Sequence, residues 1–403
     1  MLSGVEEPVV GRRTGKPPRH WAEMSEAERT EVVRNLGWPA FRADQLSRHY
    51  FERHEDDPAS WSDLPKSVRE VSGQWFPSLM ALVAESSADR GATIKSLYEL
   101  FDGTLVECVL MRYLRGGRLR RAPLGEEGES GSCTARSTLC VSSQAGCGIG
   151  CPFCATGQAG LQRNLTSAEI IEQVRRAVVL LGSGSVPGGA GRLNNVVFMG
   201  MGEPLANYRA VVNALRAICE PTPHGFGISA RGITVSTAGM VPRIADLAGE
   251  GLPVTLAVSL HAPDDELRDE LVPINRRWPV SELLDAARAY FEGTGRRVSI
   301  EYALMRDVND QGFRADLLAK KLVARGRGWV HVNLIPLNPT PGSPWTASRP
   351  EAEAEFVTRL EAARVPVTLR DTRGRTIDGA CGQLAAKARG ESSAQGHVPG
   401  GVD

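Results

Sequence analysis

The chain has 403 residues, no formal net charge and 42% hydrophobic residues. A neutral chain has no global field to attract nucleic acid, so any RNA contact must come from local basic patches. Apolar runs such as "VTLAVSL" are far shorter than the roughly 20 residues of a membrane-spanning helix, and the N-terminal segment lacks an apolar core of the signal-peptide type. We therefore expect a cytoplasmic protein with no membrane partner.

The N-terminal part predicts a disordered tail at residues 1–18 and a small helical domain at residues 19–85. The segment "SEAERTEVVRNLG" begins with Ser25, a favourable N-cap residue, and predicts the first helix. The segment "LPKSVREVSGQWF" predicts a further short helix. Between them, apolar residues at helical spacing predict one buried helix face: Phe41, Leu46, Tyr50 and Phe51.

Residues 86–136 predict a β extension followed by a surface loop. "ATIKSLYELFDGTLVECVLMRY" contains two strand-like runs around the turn "FDGT". The loop after them is rich in glycine and arginine. Its arginines either contact RNA phosphates or form an ordinary solvated surface: Arg112, Arg115, Arg118, Arg120 and Arg121.

From residue 137 to 386 the pattern changes to strand, loop and helix in repetition. Strand-like segments run from "TLCVSSQ" to "VPVTLRD", and helical patterns run from "SAEIIEQVRRAVVLLG" to "RPEAEAEFVTRLEAA". Repeated βα units favour a parallel sheet with helices outside, in an α/β fold. About six units indicate a partial (βα)6 barrel whose function lies at the C-terminal ends of its strands. An open doubly wound sheet is the alternative. "GSGSVPGGAGR" predicts a flexible insertion, and residues 387–403 a disordered tail.

Three cysteines occur in one short segment, "CGIGCPFCATGQAG", directly after the first of these strands: Cys147, Cys151 and Cys154. In a reducing cytoplasm such a cluster indicates a metal or redox site rather than a disulfide framework. Thiolates suit zinc, Cu(I) and iron–sulfur clusters. Zinc would need a fourth ligand, for instance Cys140 or a histidine. A four-iron cluster held by three thiolates keeps one iron open.

This CxxxCxxC loop in the first βα unit resembles the radical S-adenosylmethionine (SAM) superfamily. The resemblance implies a [4Fe-4S] cluster on the three cysteines, whose open iron chelates SAM and whose electron splits it to a 5′-deoxyadenosyl radical. "GMGEPLAN", after the second strand, resembles the GEP motif of the superfamily. Gly202, Glu203 and Pro204 would then hold the amino group of SAM, and a carboxylate is a natural partner for an ammonium.

Further motifs narrow the resemblance. "STLCVSSQAGCGIGCPFCATGQAGLQRNL", "VSLHAP", "NLIPLNP" and "TRGRTIDGACGQL" together resemble the RlmN/Cfr group of RNA methyltransferases, from about residue 20 to residue 390. The RlmN-type resemblance implies methylation of C2 of the adenine at position 2503 of 23S rRNA and of adenosine 37 in tRNAs. The Cfr-type alternative is methylation of C8 of the same rRNA adenine. A non-catalytic, zinc-containing RNA-binding protein is the alternative from a different class.

The resemblance also assigns three catalytic residues. Adenine C2 is an electron-poor carbon without a lone pair, so a direct methyl displacement cannot occur there. By resemblance, Cys381 in "DGACGQL" takes a methyl group from one SAM, and a second SAM then generates the radical. Cys140 in "TLCVSS" would resolve the protein–RNA adduct by forming a disulfide. Glu107 in "TLVECVLM" would remove the C2 proton. Considered alone, Cys140 would be a buried strand cysteine and Glu107 an exposed carboxylate.

Further SAM contacts are implied at or after strand ends, where a barrel ligand lies: Ser236, Ser259, Leu260, His261 and Asn338. The chain departs from the family pattern near its last motif, with Thr376 and Gly379. The N-terminal domain resembles the helix-hairpin-helix-like accessory domain of the family, which implies that it binds RNA. The implied partners are 23S rRNA, tRNA and an electron donor such as flavodoxin or ferredoxin, and the implied state is a monomer.

Overall fold

The computed structural model describes residues 15–113, 135–339, 343–370 and 383–385. Several predictions lie outside these residues. They include most of the predicted N-terminal tail and all of the predicted C-terminal tail. They also include four arginines of the glycine-rich loop, the cysteine Cys381, and two residues that depart from the family pattern: Arg115, Arg118, Arg120, Arg121, Thr376 and Gly379. None of the described helices is long and apolar enough to cross a membrane.

Three helices form the N-terminal domain: α1 (Glu26–Asn35), α2 (Phe41–Phe51) and α3 (Lys66–Ser72). Ser25 caps α1 as predicted, since its hydroxyl accepts from the Glu28 amide while the Glu28 carboxylate accepts from the Ser25 amide. Trp21, Leu46 and Trp61 lie at the centre of the small core. The prediction for α2 was wrong at Phe41, which is 54% exposed because it precedes the buried face.

One ten-stranded sheet forms the main body, in the order β1-β2-β3-β4-β7-β8-β9-β10-β11-β12. Strands β1 to β4 pair antiparallel, and β4 and β7 to β12 pair parallel. The small strands β5 and β6 form a separate hairpin. The bounds are β1 (Met80–Ala88), β2 (Thr93–Leu100), β3 (Leu105–Tyr113), β4 (Arg136–Cys140), β5 (Gln144–Gly146), β6 (Leu161–Asn164), β7 (Asn195–Phe198), β8 (Ile233–Thr237), β9 (Thr255–Ser259), β10 (Val298–Leu304), β11 (Val330–Pro336) and β12 (Val367–Leu369).

Helices follow the parallel strands. Their bounds are α4 (Ala155–Gln158), α5 (Ser167–Gly182), α6 (Tyr208–Cys219), α7 (Val241–Gly249), α8 (Asp265–Leu271), α9 (Val280–Thr294), α10 (Gly312–Val323) and α11 (Pro350–Ala362). The parallel strands follow one another in sequence order, whereas a doubly wound sheet reverses its order at a switch point. The prediction of a partial (βα)6 radical SAM barrel is confirmed: β4 and β7 to β11 each precede a long helix, and β12 adds a short final strand.

Side chains alternate across this sheet. In β10, Ile300 and Tyr302 belong to the main apolar core under the helices. Ser299 and Glu301 point to the other face, where they hydrogen-bond to Asn333 of β11. We call this inner, polar face of the sheet the lumen. In strands β3 and β4 the same alternation and the strand pairing place the side chains of Glu107 and Cys140 on the lumen face.

Two regions differ from prediction. Strand β1 was not predicted because its residues alternate poorly and most of them are exposed. The segment "GSGSVPGGAGR" was predicted to be flexible, and Arg112 either to contact RNA phosphates or to lie on a solvated surface. Instead, the Arg112 guanidinium is buried and donates to the carbonyls of Val186, Gly188 and Gly189. Arg112 therefore holds this loop and is not available to RNA.

Candidate active site

The three-cysteine loop is held by the β5–β6 hairpin at the C-terminal end of β4. The Cys147 amide donates to the Gly160 carbonyl over 3.0 Å, which closes the loop at its base. Gly146, with φ at +79°, could carry no side chain, since a Cβ there would lie 1.9 Å from the Gly160 oxygen. Gly157 is similarly constrained by Cys151, whose backbone oxygen a Cβ would approach to 2.7 Å. The glycines of the motif thus fix the loop backbone.

The thiols of this loop lie together in a partly buried setting. Burial raises the pKa of Cys147 to about 11, and the neighbouring Glu203 and Cys154 raise it further. Burial also raises the pKa of Cys151, again with contributions from Cys154 and Cys147. Because neighbouring thiols disfavour ionisation of Cys147 and Cys151, a bound cation is the natural way to stabilise thiolates here.

This donor set fits an iron–sulfur cluster better than a zinc ion. Among the described residues, no group of three or more His, Cys, Asp or Glu side chains could hold a metal ion. A zinc ion needs all its ligands about 2.0–2.3 Å from one point. A four-iron cluster instead binds each thiolate on a different iron. The described residues assemble no such zinc centre, and three thiolates are the donor set that a cluster with one open iron takes.

The GEP loop follows β7 and lies against the three-cysteine loop. Gly202 has φ at +103°, and a Cβ there would lie 2.5 Å from the Cβ of Gln144. The Glu203 amide donates to the Gln144 side chain over 2.8 Å, which joins the two loops. The Glu203 carboxylate accepts from the amides of Leu205 (3.0 Å) and Ala238 (2.7 Å). Burial nevertheless raises its pKa to about 7, as expected of a carboxylate awaiting a cation.

The remaining predicted SAM contacts lie along the same edge of the sheet. Ser236 is in β8, where its hydroxyl donates to the Phe198 carbonyl over 2.6 Å. Ser259 ends β9, and Asn338 follows β11. Leu260 is fully buried, its amide donates to the Glu301 carbonyl, and its own carbonyl accepts from Ala262 and Arg268. The structure therefore brings these residues to the C-terminal mouth of the barrel, where a barrel ligand is expected.

His261 has a defined tautomer. Its Nδ1 accepts from the Ala303 amide over 3.0 Å, and burial lowers its pKa to about 3. The ring is therefore neutral with its proton on Nε2, which leaves one N–H donor. The backbone has φ at +60°, and the ring packs edge-on against Phe153 of the three-cysteine loop.

Arg268 of α8 was missed by sequence analysis. It is fully buried and donates to the carbonyls of Leu260 (2.9 Å), Ser259 (3.1 Å) and Ala238 (2.5 Å), and to Asn275 (2.8 Å). Within the described ranges no carboxylate forms an ion pair with it. Its guanidinium thus joins the loops after β8 and β9, and its charge acts on Cys151.

Glu107 and Lys95 form a second buried centre in the lumen. Lys95 was also missed. Its ammonium lies 2.9 Å from Glu107, and both side chains are about 1% exposed or less. The other carboxylate oxygen accepts from the Ala385 amide over 2.6 Å. Burying either charge alone would cost much free energy, because the charge would lose its hydration without gaining a partner. The ion pair offsets part of that cost for both residues.

Cys140 faces the same centre. It pairs with Val109 of β3, two residues from Glu107, so both side chains are on one face. Burial raises the pKa of Cys140 to about 12; Lys95 lowers this value and Glu107 raises it. The structure thus brings together Cys140 and Glu107, two of the three predicted catalytic residues.

The described residues on either side of the Cys381 segment also lie at the lumen. On one side, the Arg370 guanidinium is 3.8 Å from the Glu301 carboxylate. On the other side, Gln383 donates to the Pro339 carbonyl over 2.9 Å, and Ala385 donates to Glu107. Cys381 itself lies outside the described residues.

The missed residues share a weak sequence signal. Lys95 and Glu301 are single charges within otherwise buried strands, at lumen positions of the alternation. Such a charge indicates a partner or a ligand. Arg268 lies in the charged segment "DELRDEL", which is typical of an exposed helix, so its burial could not be predicted.

Comparison with known proteins gives a consistent result. Residues 141–318 match the model of the radical SAM superfamily. The chain is 58% identical to the "Probable dual-specificity RNA methyltransferase RlmN" of Cutibacterium acnes, over 96% of this chain and 93% of that protein. It is 60% identical to the protein of the same name from Kineococcus radiotolerans, over 93% and 91% of the two chains.

A solved structure supports the fold. The crystal structure of a radical SAM methyltransferase from Sphaerobacter thermophilus superposes with a TM-score of 0.81 at 40% sequence identity. The superposition covers 91% of this chain and 99% of that one.

Proposed function

The chain belongs to the RlmN family of radical SAM RNA methyltransferases, and from this membership we propose a specific reaction. It methylates C2 of the adenine at position 2503 of 23S rRNA, and of adenosine 37 in tRNAs, through an S-methylcysteine on Cys381. One arrangement in the lumen supports this proposal most: Glu107 and Cys140 share one face, beside the three-cysteine loop.

Three cysteines hold the cofactor in this proposal: Cys147, Cys151 and Cys154. When bound there, a [4Fe-4S] cluster supplies the electron that cleaves SAM to a 5′-deoxyadenosyl radical. Two SAM molecules are used in each turnover, one for the methyl group and one for the radical. The SAM-binding residues are Gly202, Glu203, Pro204, Ser236, Ser259, Leu260, His261 and Asn338. Glu203 faces the SAM ammonium, and ionised Glu203 gains the cation that its buried site lacks.

Cys381 carries the methyl group because a thiolate sulfur is a nucleophile that can displace the methyl group of SAM, whereas adenine C2 has no lone pair. Its thiolate displaces the methyl group of one SAM, which leaves S-methylcysteine and S-adenosylhomocysteine. Transfer of one hydrogen atom of the S-methyl group to the 5′-deoxyadenosyl radical gives 5′-deoxyadenosine and a methylene radical on Cys381, and this radical adds to C2. The target base must leave its stack to reach the lumen.

Glu107 and Cys140 then act in sequence. Glu107 takes the C2 proton. The one electron lost with this proton returns to the electron-donor system that supplied the electron for SAM cleavage, and the aromatic ring is restored. A protonated Glu107 no longer raises the pKa of Cys140, whereas Lys95 still lowers it. Cys140 therefore becomes a better nucleophile at the step that needs it. It attacks the Cys381 sulfur, a disulfide forms, and the carbon leaves with its electron pair and takes a proton to become the methyl group.

RNA is the substrate of this family, and we assign part of its binding to the N-terminal domain. The net charge of zero gives no global attraction, so local cations such as Arg42 and Arg48 on the exposed side of α2 must contact phosphates. A flavodoxin- or ferredoxin-like donor supplies the electron, and the protein acts as a monomer in the cytoplasm.

The test is anaerobic. The protein is reconstituted with iron and sulfide, supplied with dithionite, SAM and a 23S rRNA fragment, and the digested nucleosides are identified by mass spectrometry. We expect 2-methyladenosine, and none of it from the Cys381→Ala and Cys147→Ala variants. Formation of 8-methyladenosine would retain the radical mechanism with Cfr-type regiochemistry. A protein that binds zinc, lacks iron and forms neither product would contradict the proposal.

A further inference from the structure

A buried carboxylate on β10 in the lumen has one oxygen that accepts no hydrogen bond within the described part of the chain. Glu301 of β10 is 4% exposed. Its Oε1 accepts from the Ser299 hydroxyl (2.6 Å) and from the Asn333 side-chain amide (2.9 Å). Asn333 also donates to Ser299 over 2.7 Å, so the three side chains form a closed triangle. This triangle fixes the direction of the carboxylate.

The second oxygen, Oε2, accepts no hydrogen bond within the described part of the chain. The Arg370 guanidinium lies 3.8 Å away, which is too far for a hydrogen bond. A buried acceptor without a donor destabilises the folded protein, because the group loses its hydrogen bonds to water on burial. Native proteins rarely leave such a group unsatisfied, unless a ligand or a function uses it.

Glu301 lies near the mouth of the barrel. It pairs with Ser259 of β9, and its carbonyl accepts from the Leu260 amide over 3.0 Å. It therefore lies at the level of the predicted SAM contacts. Because Glu301 lies on the lumen face at this level, its Oε2 is placed near the end of the barrel at which a ligand binds.

We propose that Oε2 of Glu301 accepts a hydrogen bond from an adenosine held in the lumen, and this inference rests on the proposed function. The donor is an N–H of the exocyclic amine or a ribose hydroxyl. Guanine has a carbonyl oxygen in place of the amine, which a carboxylate repels, so a contact with the exocyclic amine favours adenine over guanine. Two adenosines come to this site, the nucleoside of SAM and the target base. Glu301 is thus a ligand-binding residue of the barrel mouth.

The test uses the substitution Glu301→Gln in the full-length, iron-reconstituted protein. The amide oxygen keeps the bonds to Ser299 and Asn333, while an NH2 group replaces the accepting Oε2. The matched control is Glu282→Gln, at an exposed position on the outer helix α9. Two dissociation constants are measured for each protein: that of SAM by calorimetry, and that of an RNA fragment by fluorescence anisotropy. The fragment carries either adenine or unsubstituted purine at the target position.

If Glu301 binds the SAM nucleoside, we expect a tenfold to hundredfold weaker affinity for SAM in Glu301→Gln. If it binds the target base, wild-type protein binds the purine fragment about tenfold more weakly than the adenine fragment, and Glu301→Gln loses this discrimination. The inference is overturned if Glu301→Gln changes both affinities less than twofold, even with a lowered melting temperature, since that result assigns Glu301 a structural role alone.

These readouts do not depend on turnover. If the wild-type protein forms no methyladenosine, the proposed function fails while both affinities can still be measured. An effect of Glu301→Gln in that case would show that the nucleoside site exists without the proposed reaction. A normal turnover with no effect on either affinity would reject the nucleoside site alone.

Discussion

At the residue scale, the buried Glu107–Lys95 pair bears most directly on the reaction. Removing two charges from water is costly, and a pair of this kind is weak evidence for stability. The Glu107 carboxylate also accepts from Ala385, so the pair connects β2, β3 and the chain just after Cys381. A base in this position is oriented before substrate arrives.

The substitution Glu107→Gln tests the role of Glu107 as a base. Glutamine keeps an acceptor for the Ala385 amide but cannot take the C2 proton. We expect the rate of product formation to fall by about 10²–10⁴-fold, while methylation of Cys381 by SAM continues. Product is measured by single-turnover nucleoside analysis, and Cys381 methylation by peptide mass spectrometry.

The control for this variant is Glu99→Gln, on the adjacent strand β2, where the side chain is exposed. It should match the wild type in both measurements. Product formed by Glu107→Gln at more than a tenth of the wild-type rate would exclude Glu107 as the base. Loss of Cys381 methylation in the same variant would indicate a damaged site instead.

At this scale the sequence predicted which residues carry the chemistry better than it predicted which charged residues are buried. The CxxxCxxC spacing and the GEP motif identify their residues because the chemistry requires those side chains. The burial of Arg112 and Lys95 depends on the register of β2, β3 and β4, which pairs residues distant in sequence. Hydrophobic alternation cannot supply that register.

At the element scale, Arg268 connects the loops that follow β8 and β9. It satisfies carbonyls of both loops and lies against Asn275. Through these hydrogen bonds Arg268 of α8 fixes the backbone of the segment from Ser259 to His261. The loops are therefore positioned by a buried side chain and not only by their own sequence.

Replacing Arg268 with methionine should lower the free energy of unfolding by about 3 kcal/mol, because buried carbonyls lose their donors. It should also weaken SAM binding, since the loops lose their common support. Denaturant unfolding of the apoprotein and calorimetry with SAM measure the two effects. Arg243→Met, on the exposed face of α7, should change stability by less than about 0.5 kcal/mol. Equal effects of the two substitutions would contradict this role.

The sequence predicted most elements well because their periodicity reflects burial. The segment "SAEIIEQVRRAVVLLG" corresponds to α5, with the capping box of Thr166 and Glu169 at its start. Short elements were missed for the opposite reason. Strand β1 lies at the edge of the sheet with little buried surface, and α8 is charged along most of its length.

At the scale of the whole molecule, the N-terminal domain packs firmly on the barrel. The Tyr50 hydroxyl donates to Glu172 of α5 over 2.9 Å, and the Arg29 guanidinium donates to the His224 carbonyl over 3.1 Å. Glu23 accepts from the Ala168 amide at the start of α5 over 3.2 Å. The two parts should therefore unfold together.

His20 lies at this junction, against Tyr50 and Phe76. Burial lowers its pKa from 6.5 to about 4, so the folded protein holds it neutral. As the pH falls below 6.5, the unfolded chain takes up this proton first. The stabilisation is complete above pH 6.5 and is lost by about pH 4, by up to about 3 kcal/mol.

The variant His20→Asn isolates this effect. Asparagine keeps the acceptor for the Ala22 amide but has no proton to bind in this range. The difference in unfolding free energy between wild type and variant should shrink by about 3 kcal/mol from pH 7 to pH 4. Denaturant unfolding at several pH values measures it. Parallel stability curves for the two proteins would show that His20 does not titrate in this window.

The central claim is that the methyl group reaches adenine through Cys381 and a radical. The most direct measurement supplies SAM with a fully deuterated methyl group and determines the deuterium content of the methyladenosine by mass spectrometry. If the methyl group passes through Cys381, we expect a product with two deuterium atoms and one solvent hydrogen in its new methyl group. The missing deuterium should then be found in 5′-deoxyadenosine. A methyl group transferred with all three deuterium atoms would contradict it, because direct displacement breaks no carbon–hydrogen bond of the methyl group.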